Sequence, residues 1–360
     1  MKILLDCERM KYPNTGIYHY CFHLGKAIAG ILSGSEKNTV GFYLKKELFG
    51  IFGPQFLYKS QSSLHKFFKP FLSGTDIWHV TYQHSDYMSM RGSFKTILTI
   101  HDINFMHDPN KPEAKKKKYL RKLSQAITRA DGLIFISAFV MNDVKKYIPL
   151  NKKVFTVIHN GCNINSTVKS ATPQILPHTP FIYTIGTIAS KKNFHVLPSL
   201  LVGNELTLVI SGIVQEPGYL EKIKQTATQY KVENRIIFTG SVSEEEKYWY
   251  LQHCESFVFP SLMEGFGLPV IEAMYFGKPV FLSSLTALPE IGGSLAYYFA
   301  DFDEESMRMV YTKGMEHFLQ NKTALAAKSK EHAASFDWSE TAKKCLAFYE
   351  QVLTGKQQPA

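Results

Sequence analysis

The sequence predicts an α/β protein made of two doubly wound domains. The chain has 360 residues, 45% of them hydrophobic, and is about twice as long as an ordinary domain. Short apolar runs alternate with amphipathic stretches of crossover length, the pattern of parallel sheets covered by helices. A proline-bearing stretch without periodicity separates two such sets of runs. Two domains are therefore favoured over one.

The apolar runs predict the strands and the domain boundaries. In the first half the runs are KILLD, TVGFYL, IWHV, KTILTI, GLIFIS and KVFTVI, and in the second half FIYTIG, LTLVISG, RIIFTG, SFVFPS and PVFLSS. Residues 166–180 contain three prolines and several Ser and Thr, which predicts a linker. We expect an N-terminal domain over residues 1–165 and a C-terminal domain over 181–335. The amphipathic tail at 336–355 predicts a final helix.

The composition restricts the classes of protein. No run reaches the roughly 18 apolar residues that a membrane-spanning helix needs. Charged residues interrupt the opening MKILLDCERM too early for a secretion signal. The five cysteines are scattered and form no CxxC pair, which is typical of a reducing compartment and gives no zinc spacing. We expect a cytoplasmic protein that is soluble or peripheral on the inner face of the cytoplasmic membrane.

Positive charge is concentrated in the first half. Residues 1–165 hold 24 Lys and Arg against 11 Asp and Glu, whereas 166–360 hold 17 against 20. The densest run, Lys111–Lys122, continues into a pattern of helical spacing that predicts a core-facing helix with a cationic outer face. That face is either simply solvated or a contact for an anionic membrane surface. Nucleic acid is the less favoured partner, because no nucleic-acid-binding pattern accompanies the charge.

The sharpest local signal is the segment 256–284, SFVFPSLMEGFGLPVIEAMYFGKPVFLSS. A predicted strand ends in a glycine-bearing turn, and a helix follows that Pro269 can open. Glycines before a helix N-terminus let backbone N–H groups approach an anion such as a pyrophosphate. Glu264 in the turn and Glu272 in the first helical turn would then face neutral sugar or ribose hydroxyls. Alternatively, Glu264 is solvated and Glu272 is only a helix N-terminal charge.

This segment resembles the E-x7-E motif of family 4 glycosyltransferases, which is complete here as Glu264 and Glu272. The resemblance implies that Glu264 and the amides of the following turn contact the donor sugar, and that Glu272 holds the nucleotide ribose. The donor-binding residues of this segment are Glu264, Gly265, Phe266, Gly267, Leu268 and Glu272.

A second segment, TIGTIASKKNF, resembles the phosphate-binding turn of the same family. The resemblance assigns Lys192, six residues after Gly186, to the donor pyrophosphate, with Lys191 as its neighbour. Thr187 stands where the family commonly has arginine. At least one cation is expected, because the leaving diphosphate develops negative charge. A pair of lysines on a loop is otherwise a solvated feature.

Two further resemblances lie in the first half. The stretch PNTGIY resembles the first glycine loop of the family, in which Gly16 would let the backbone approach donor phosphate or acceptor. The stretch TILTIHDINFMHDP resembles the strand that ends in His-Asp, which implies that His101 lies at an interdomain cleft near the reacting sugar. By itself, a histidine at a strand end is more often structural. The stretch FDWSETA resembles the start of the final helix, which in this family crosses back onto the first domain.

The resemblance extends over most of the chain and implies a GT-B fold, two doubly wound Rossmann-like domains facing across a cleft. It implies a retaining glycosyltransferase with His101, Lys192 and Glu264 as catalytic residues and no metal or other cofactor. The spelling of the phosphate turn resembles that of bacterial mannosyl- and rhamnosyltransferases of surface polysaccharide assembly, which implies GDP-mannose as the favoured donor, with UDP-sugars next. The expected acceptor is a glycan or a polyprenyl-diphosphate-linked precursor of lipopolysaccharide, O-antigen or capsule. The alternatives are a sugar-nucleotide epimerase or disaccharide synthase of the same fold, and a non-catalytic membrane-associated binding protein.

Overall fold

The computed structural model describes residues 1–13, 15–150, 153–164 and 167–355. Asn14 of the predicted glycine loop and Ser166 of the predicted linker lie outside the described residues. The chain forms two compact units: Met1–Asn163 together with the segment from Phe336 onward, and Ile164–Ser335.

The first unit contains a seven-stranded parallel sheet of order β3-β2-β1-β4-β5-β6-β7. Its strands are β1 (Lys2–Asp6), β2 (Thr39–Leu44), β3 (Leu57–Ser60), β4 (Ile77–Val80), β5 (Lys95–Ile100), β6 (Gly132–Phe135) and β7 (Val154–Val157). The helices that connect them are α1 (Gly16–Leu32), α2 (Asn104–His107), α3 (Glu113–Arg129) and α4 (Ala138–Tyr147). Short 3-10 helices lie at Glu8–Lys11, Lys46–Leu48 and Ser63–Lys66.

The second unit repeats this topology with six parallel strands in the order β10-β9-β8-β11-β12-β13. Its strands are β8 (Phe181–Ile185), β9 (Thr207–Ser211), β10 (Ile236–Gly240), β11 (Ser256–Phe259), β12 (Val280–Ser283) and β13 (Tyr297–Phe299). Its helices are α5 (Pro217–Gln229), α6 (Glu244–His253), α7 (Leu268–Tyr275), α8 (Leu288–Gly292), α9 (Glu304–Gln320) and α10 (Lys322–Ala334). Its 3-10 helices lie at Ser190–Lys192, Phe194–Leu201, Glu233–Arg235 and Gly293–Leu295.

All eleven predicted strands are present, and two more edge strands complete the sheets. The edge strand β3 has the sequence LYKS and is half exposed, and β13 has only three residues. β3 therefore lacks the apolar run by which the other strands are recognised. β13 lies within the apolar stretch LAYYFA but pairs over only three residues.

In each unit the strand order reverses at the first strand, which lies between the second and the fourth. In the first unit β1 pairs with β2 and β4, and in the second unit β8 pairs with β9 and β11. In open sheets of this kind, ligands bind outside the carboxyl ends of the strands at this reversal. The loops that follow β1, β4, β8 and β11 are therefore the places to look for functional side chains.

The final helix, α11 (Trp338–Thr354), belongs to the first unit and packs against α1 and β5. The Asp337 carboxylate caps its first turn by accepting from two backbone N–H groups. The Tyr349 hydroxyl lies 2.6 Å from Nδ1 of the fully buried His79. The indole N–H of Trp338 donates to Asn163 (3.1 Å), and a Cβ added at Gly161 would lie 2.4 Å from the same ring. Glycine at position 161 is therefore required for this contact.

Candidate functional site

The loops that follow β8 and β11 meet at the strand reversal of the second unit. After β8 the chain passes Gly186 and Thr187 and enters the 3-10 helix Ser190–Lys192, which carries both predicted lysines. The Leu262 N–H donates to the Lys191 carbonyl at 2.8 Å, and Ser261 Oγ lies 3.2 Å from the same oxygen. These contacts hold the lysine segment against the loop that carries Glu264.

Lys192 and Glu264 form an ion pair at this point. Lys192 Nζ lies 2.5 Å from Glu264 Oε1, and the Ser261 hydroxyl donates to the same carboxylate oxygen at 2.7 Å. The two side chains are only 13% and 16% exposed. The ammonium also lies 4.7 Å from the ring centroid of Phe259, the last residue of β11. The pair thus combines a cation and a hydrogen-bond acceptor at one partly open position.

The backbone of the Glu264 turn is fixed from the opposite side. The Glu264 N–H donates to Thr286 Oγ1 at 3.2 Å, and the Ala287 N–H donates to the Glu264 carbonyl at 3.4 Å. Thr286 has a φ of 60°, a left-handed conformation that costs a residue with a branched Cβ some energy. The turn is consequently held by the segment after β12 as well as by the loop after β8.

The turn enters α7 through a glycine with a positive φ. Gly267 has a φ of 116°, and a Cβ there would lie 2.9 Å from a methyl carbon of Leu288, so that glycine is required. Phe266 is buried, and α7 begins at Leu268 with Pro269 in its first turn, as predicted. The N-terminus of α7 therefore follows directly after the Glu264 turn.

Glu272 lies deeper in the structure than the sequence predicts. It is in the second turn of α7, not the first, and its side chain is only 5% exposed. Its Oε1 accepts from Lys247 Nζ at 3.0 Å, and that ammonium also lies 3.5 Å from Glu244. Although burial lowers it, the pKa of Lys247 is raised overall by the two carboxylates. The interpretation of Glu272 as only a helix N-terminal charge is therefore wrong, because Glu272 lies in the second turn of α7 and is buried beside Lys247.

Two glycines bring the ends of β8 and β9 together under the lysine segment. A Cβ at Gly212, which follows β9, would lie 1.9 Å from the Gly186 carbonyl oxygen, a distance that no side chain allows. A Cβ at Gly186 would lie 3.1 Å from Cε of Lys192. Both have a positive φ, 155° for Gly186 and 143° for Gly212. Because Gly186 has no Cβ, it leaves room for the Lys192 side chain beside it.

Gly16 and His101 belong to the first unit. Gly16 is the first residue of α1, and no described heavy atom lies within 4 Å of the position that its Cβ would take. His101 follows β5, is 7% exposed, and donates from Nε2 to the Thr81 carbonyl at 2.8 Å. Burial lowers the pKa of His101 to about 4. The imidazole is therefore neutral near pH 7, and because Nε2 carries the proton, Nδ1 is its hydrogen-bond acceptor.

The sequence of this chain matches two parts of one family. Residues 35–166 match the family described as Glycosyltransferase Family 4, and residues 170–307 match Glycosyl transferases group 1. Together the matches cover three quarters of the chain, in the order of the two units. The chain belongs to glycosyltransferase family 4.

Relatives of this family 4 chain include named mannosyltransferases. It is 29% identical to the serotype-specific mannosyltransferase WbdA of Escherichia coli over 74% of its own length. The chain spans about a third (34%) of the length of that relative. It is also 24% identical to the O-antigen chain mannosyltransferase B of Escherichia coli, over 97% of this chain and 100% of the relative.

Solved structures support the fold of this family 4 chain. Sucrose-phosphate synthase of Thermosynechococcus elongatus superposes with a TM-score of 0.73 at 17% identity, over 99% of this chain and 100% of that one. Anabaena HepE in complex with UDP-glucose superposes equally well, with a TM-score of 0.73 at 15% identity and the same coverage. Both likenesses show the GT-B fold, with its two Rossmann-like domains.

The structure adds residues to the site that no sequence motif indicated. Ser261 and Thr286 hold Glu264, Lys247 neutralises Glu272, and Gly212 allows the approach of Gly186. Ser261 stands three residues before Glu264 and could have been found by searching the turn itself. Lys247 lies within a charged helix 25 residues before Glu272 and has no local signature.

No sequence motif indicated Asp6, the last residue of β1, as part of a site. Asp6 Oδ1 accepts from the Glu8 N–H at 3.1 Å, and Oδ2 accepts from the Ser85 hydroxyl at 2.9 Å. Burial, followed by the nearby charge of Glu8, raises the pKa of Asp6 to about 7. This carboxyl group therefore titrates near neutral pH at the strand reversal of the first unit.

The buried histidines predict a change of stability with pH. Burial and the neighbouring His101 lower the pKa of His79 to about 3, so the folded state does not bind the proton that the unfolded state gains below its ordinary pKa of 6.5. The contribution of His79 to the free energy of unfolding is therefore fully present above the unfolded pKa of 6.5 and is lost as the pH falls. Between about pH 7.5 and 5.5, we expect His79 to contribute a loss of about 1.4 kcal/mol to the free energy of unfolding.

Urea denaturation of wild type and His79→Gln at both pH values measures this contribution. We expect the variant to be less stable at pH 7.5 but to lose less stability on acidification. Asp6 acts in the opposite direction in both proteins, since its raised pKa favours the folded state at lower pH, and it cancels in the difference. Replacement of the exposed His253 by Gln is the control. Equal pH dependence of wild type and His79→Gln would contradict the prediction.

Proposed function

We propose that this chain transfers mannose from GDP-mannose, with retention of anomeric configuration, to a glycan or polyprenyl-diphosphate-linked acceptor. The reaction belongs to the assembly of lipopolysaccharide, O-antigen or capsule. Membership of family 4 and relatives named as mannosyltransferases support the reaction class and the sugar. UDP-sugars are the next candidates as donors.

The observation that carries the proposal is the pair formed by Lys192 and Glu264 beside the N-terminus of α7. The leaving group of a nucleotide sugar is a diphosphate, which needs positive potential as its bond to the sugar breaks. The Lys192 ammonium, Lys191 and the helix dipole of α7 supply it without a metal ion or other cofactor in our proposal. The carboxylate of Glu264 accepts hydrogen bonds from the neutral hydroxyls of the sugar.

The proposed reaction needs no nucleophile from the enzyme. The bond between the anomeric carbon and the diphosphate oxygen breaks, and the acceptor oxygen bonds to the same face of that carbon. The acceptor proton moves to the departing diphosphate, so that alignment and charge stabilisation are the main tasks of the protein. Nδ1 of the neutral His101 accepts a hydrogen bond from a sugar hydroxyl in this proposal. Glu272 binds the ribose, and the Thr187 segment, Gly16 and the turn from Gly265 to Leu268 line the donor.

We further propose that the chain acts at the inner face of the cytoplasmic membrane as a peripheral protein. The outer side of α3 supports this: Leu123 and Ile127 are buried, while Lys117, Lys118 and Arg121 are exposed within the run Lys111–Lys122. Each basic residue near anionic headgroups contributes about 1 kcal/mol to binding. In the described part of the chain, no helix has the length and apolarity to cross a bilayer. We assign no nucleic-acid partner.

A donor panel tests the proposed function. Binding and slow hydrolysis are measured for GDP-mannose, UDP-glucose, UDP-galactose, UDP-N-acetylglucosamine and dTDP-rhamnose, with wild type and Glu264→Gln. We expect wild type to prefer GDP-mannose. We expect Glu264→Gln to bind it about tenfold more weakly, since a hydrogen bond to a charged group is lost, but to bind GDP normally. Glu221→Gln, on the exposed face of α5, is the control.

Each result of this panel has one meaning. Preference for another nucleotide sugar would overturn GDP-mannose as the donor, but the proposal that the chain is a transferase would stand. Donor binding with isomerisation of the sugar nucleotide, or with transfer to a free sugar, would favour an epimerase or a disaccharide synthase. If the chain bound none of the five donors, the transferase proposal would fail.

A further inference from the structure

The first unit exposes an unusual run of large apolar side chains after β3. Within residues 64–71, which we call the aromatic segment, Leu64 is 65% exposed, Phe67 80%, Phe68 76% and Phe71 64%. A single exposed apolar residue is ordinary in a soluble protein, but contiguous apolar surface marks a contact site. Four such residues within eight positions therefore need an explanation beyond folding.

The aromatic segment is held firmly although its apolar side chains are exposed. The Ser62 side chain caps the 3-10 turn by accepting from the Leu64 N–H, and the N–H groups of Phe67 and Phe68 both donate to the Leu64 carbonyl. Underneath, His65 Nδ1 lies 2.9 Å from the Tyr43 hydroxyl. The segment is thus an ordered turn in which polar contacts face the unit and aromatic rings face solvent.

The charge around the aromatic segment is positive. Residues 48–75 contain three lysines and no Asp or Glu, and one of the three, Lys66, forms an ion pair with Asp86 at 2.9 Å. Lys69 Nζ donates to the Asp86 carbonyl at 3.0 Å, which joins the segment to the loop at 82–91. Arg129, at the C-terminal end of the basic helix α3, donates to Ser89 of the same loop at 3.1 Å. The apolar surface and the basic helix are therefore attached to one common loop.

We propose that the aromatic segment inserts into the interfacial region of an anionic phospholipid bilayer, next to the basic face of α3. Aromatic rings flanked by lysines suit this region, because the rings enter the apolar boundary while the ammonium groups remain at the headgroups. Headgroup charge attracts the basic side chains over a longer range, and ring insertion then holds the protein in place. This inference extends the membrane partner proposed above and is independent of the sugar donor.

The aromatic segment begins at the end of the sheet at which ligands of this fold bind. The segment follows the carboxyl end of β3, and the loop with His101 follows the carboxyl end of β5 in the same parallel sheet. The segment then runs to Phe71, which bridges to Arg91 ahead of β5. Insertion of its first residues, which follow the carboxyl end of β3, brings the bilayer surface, and any acceptor anchored in it by a polyprenyl chain, towards the sheet edge at which ligands of such folds bind.

Vesicle binding tests the proposal with the full chain. Wild type and the double variant Phe67→Ser/Phe68→Ser are sedimented with vesicles made of equal parts phosphatidylcholine and phosphatidylglycerol. The matched control is Met309→Ser/Leu319→Ser, which removes two exposed apolar side chains from α9 of the other unit. We expect the aromatic variant to bind at least about tenfold more weakly, and the control to bind like wild type.

A depth measurement distinguishes the bilayer from other occupants. We expect the added fluorescence of Phe68→Trp, relative to wild type, to be quenched by vesicles that carry bromine on their acyl chains. Quenching would not follow from a change in folding or from binding through charge alone. Absence of quenching would overturn the proposal. The proposal would also be overturned if the aromatic variant bound vesicles like wild type. If that variant changed only the oligomeric state, the occupant of the aromatic segment would be a second copy of the chain.

The failure of this inference and that of the proposed function are separable. If Lys117→Glu/Lys118→Glu loses vesicle binding while Phe67→Ser/Phe68→Ser keeps it, the aromatic segment does not insert, although the basic face of α3 still binds. If vesicle binding depends on the rings but the donor panel fails, the inference stands without the transferase. GDP-mannose binding by the aromatic variant should equal that of wild type, because neither ring belongs to the donor site.

Discussion

Replacement of Lys192 by Met is expected to lower kcat/KM for sugar transfer by about a hundredfold to a thousandfold. Loss of one group that stabilises developing charge costs about 3 to 4 kcal/mol in the transition state. The methionine side chain has a similar length, so that packing near Phe259 is retained. Because Lys192 is assigned to the diphosphate, GDP binding should weaken as well. Steady-state kinetics and calorimetric titration with GDP measure the two effects.

The control is Lys224→Met, which removes an exposed lysine that pairs with Glu221 on α5. Its expected effect on kcat/KM is negligible, since exposed ion pairs of this kind contribute little. The comparison with Glu264→Gln separates two roles, because that variant should weaken the binding of the sugar nucleotide but not of GDP. If Lys192→Met transferred sugar within twofold of the control, Lys192 would serve only as a structural partner of Glu264.

Replacement of Lys247 by Met should destabilise the second unit by about 3 kcal/mol. The change leaves the Glu272 carboxylate, which is only 5% exposed, without its ammonium partner, and an unpaired buried charge is costly. The double variant Lys247→Met/Glu272→Met should recover most of the lost stability, because apolar residues of similar volume replace both charges. Urea denaturation followed by circular dichroism measures the free energy of unfolding of all three proteins.

Activity measurements extend this second prediction. Lys247→Met keeps Glu272, so at a temperature where it is folded it should retain GDP binding, whereas the double variant should not if Glu272 binds the ribose. Lys224→Met again provides the control, with an expected change within about 0.5 kcal/mol. A Lys247→Met protein as stable as wild type would show that the 3.0 Å contact between Lys247 and Glu272 contributes nothing to folding.

The predictable part of the fold lies in the centre of the two sheets. Buried strands such as β5 and β9 are apolar runs bounded by polar residues, and the run alone identifies them. The edge strand β3, LYKS, is half exposed and carries no such run, and β13 has only three residues. Their place in the sheet follows from backbone hydrogen bonds to the adjacent strand, which leave no mark in the composition.

For the candidate site, the sequence identified residue types and the structure supplied their partners. Lys192 and Glu264 were each assigned from a local motif, but they are 72 residues apart in the chain. Only the parallel pairing of β8 with β11 brings the ends of these strands, and hence the two side chains, to one place. The pairing of Glu272 with Lys247 had no local signal, and the turn of α7 on which Glu272 lies was predicted wrongly.

The sequence by itself determined the fold class, the family and the turns in which glycine and proline direct the backbone. These features depend on short stretches, whose spacing, apolar periodicity and backbone restrictions act locally. The tertiary structure alone decided which charges pair, which carboxylates are buried, and that the aromatic segment after β3 remains uncovered. Those properties depend on long-range packing, because burial and ion pairing are set by whatever distant part of the chain the sheet topology brings alongside.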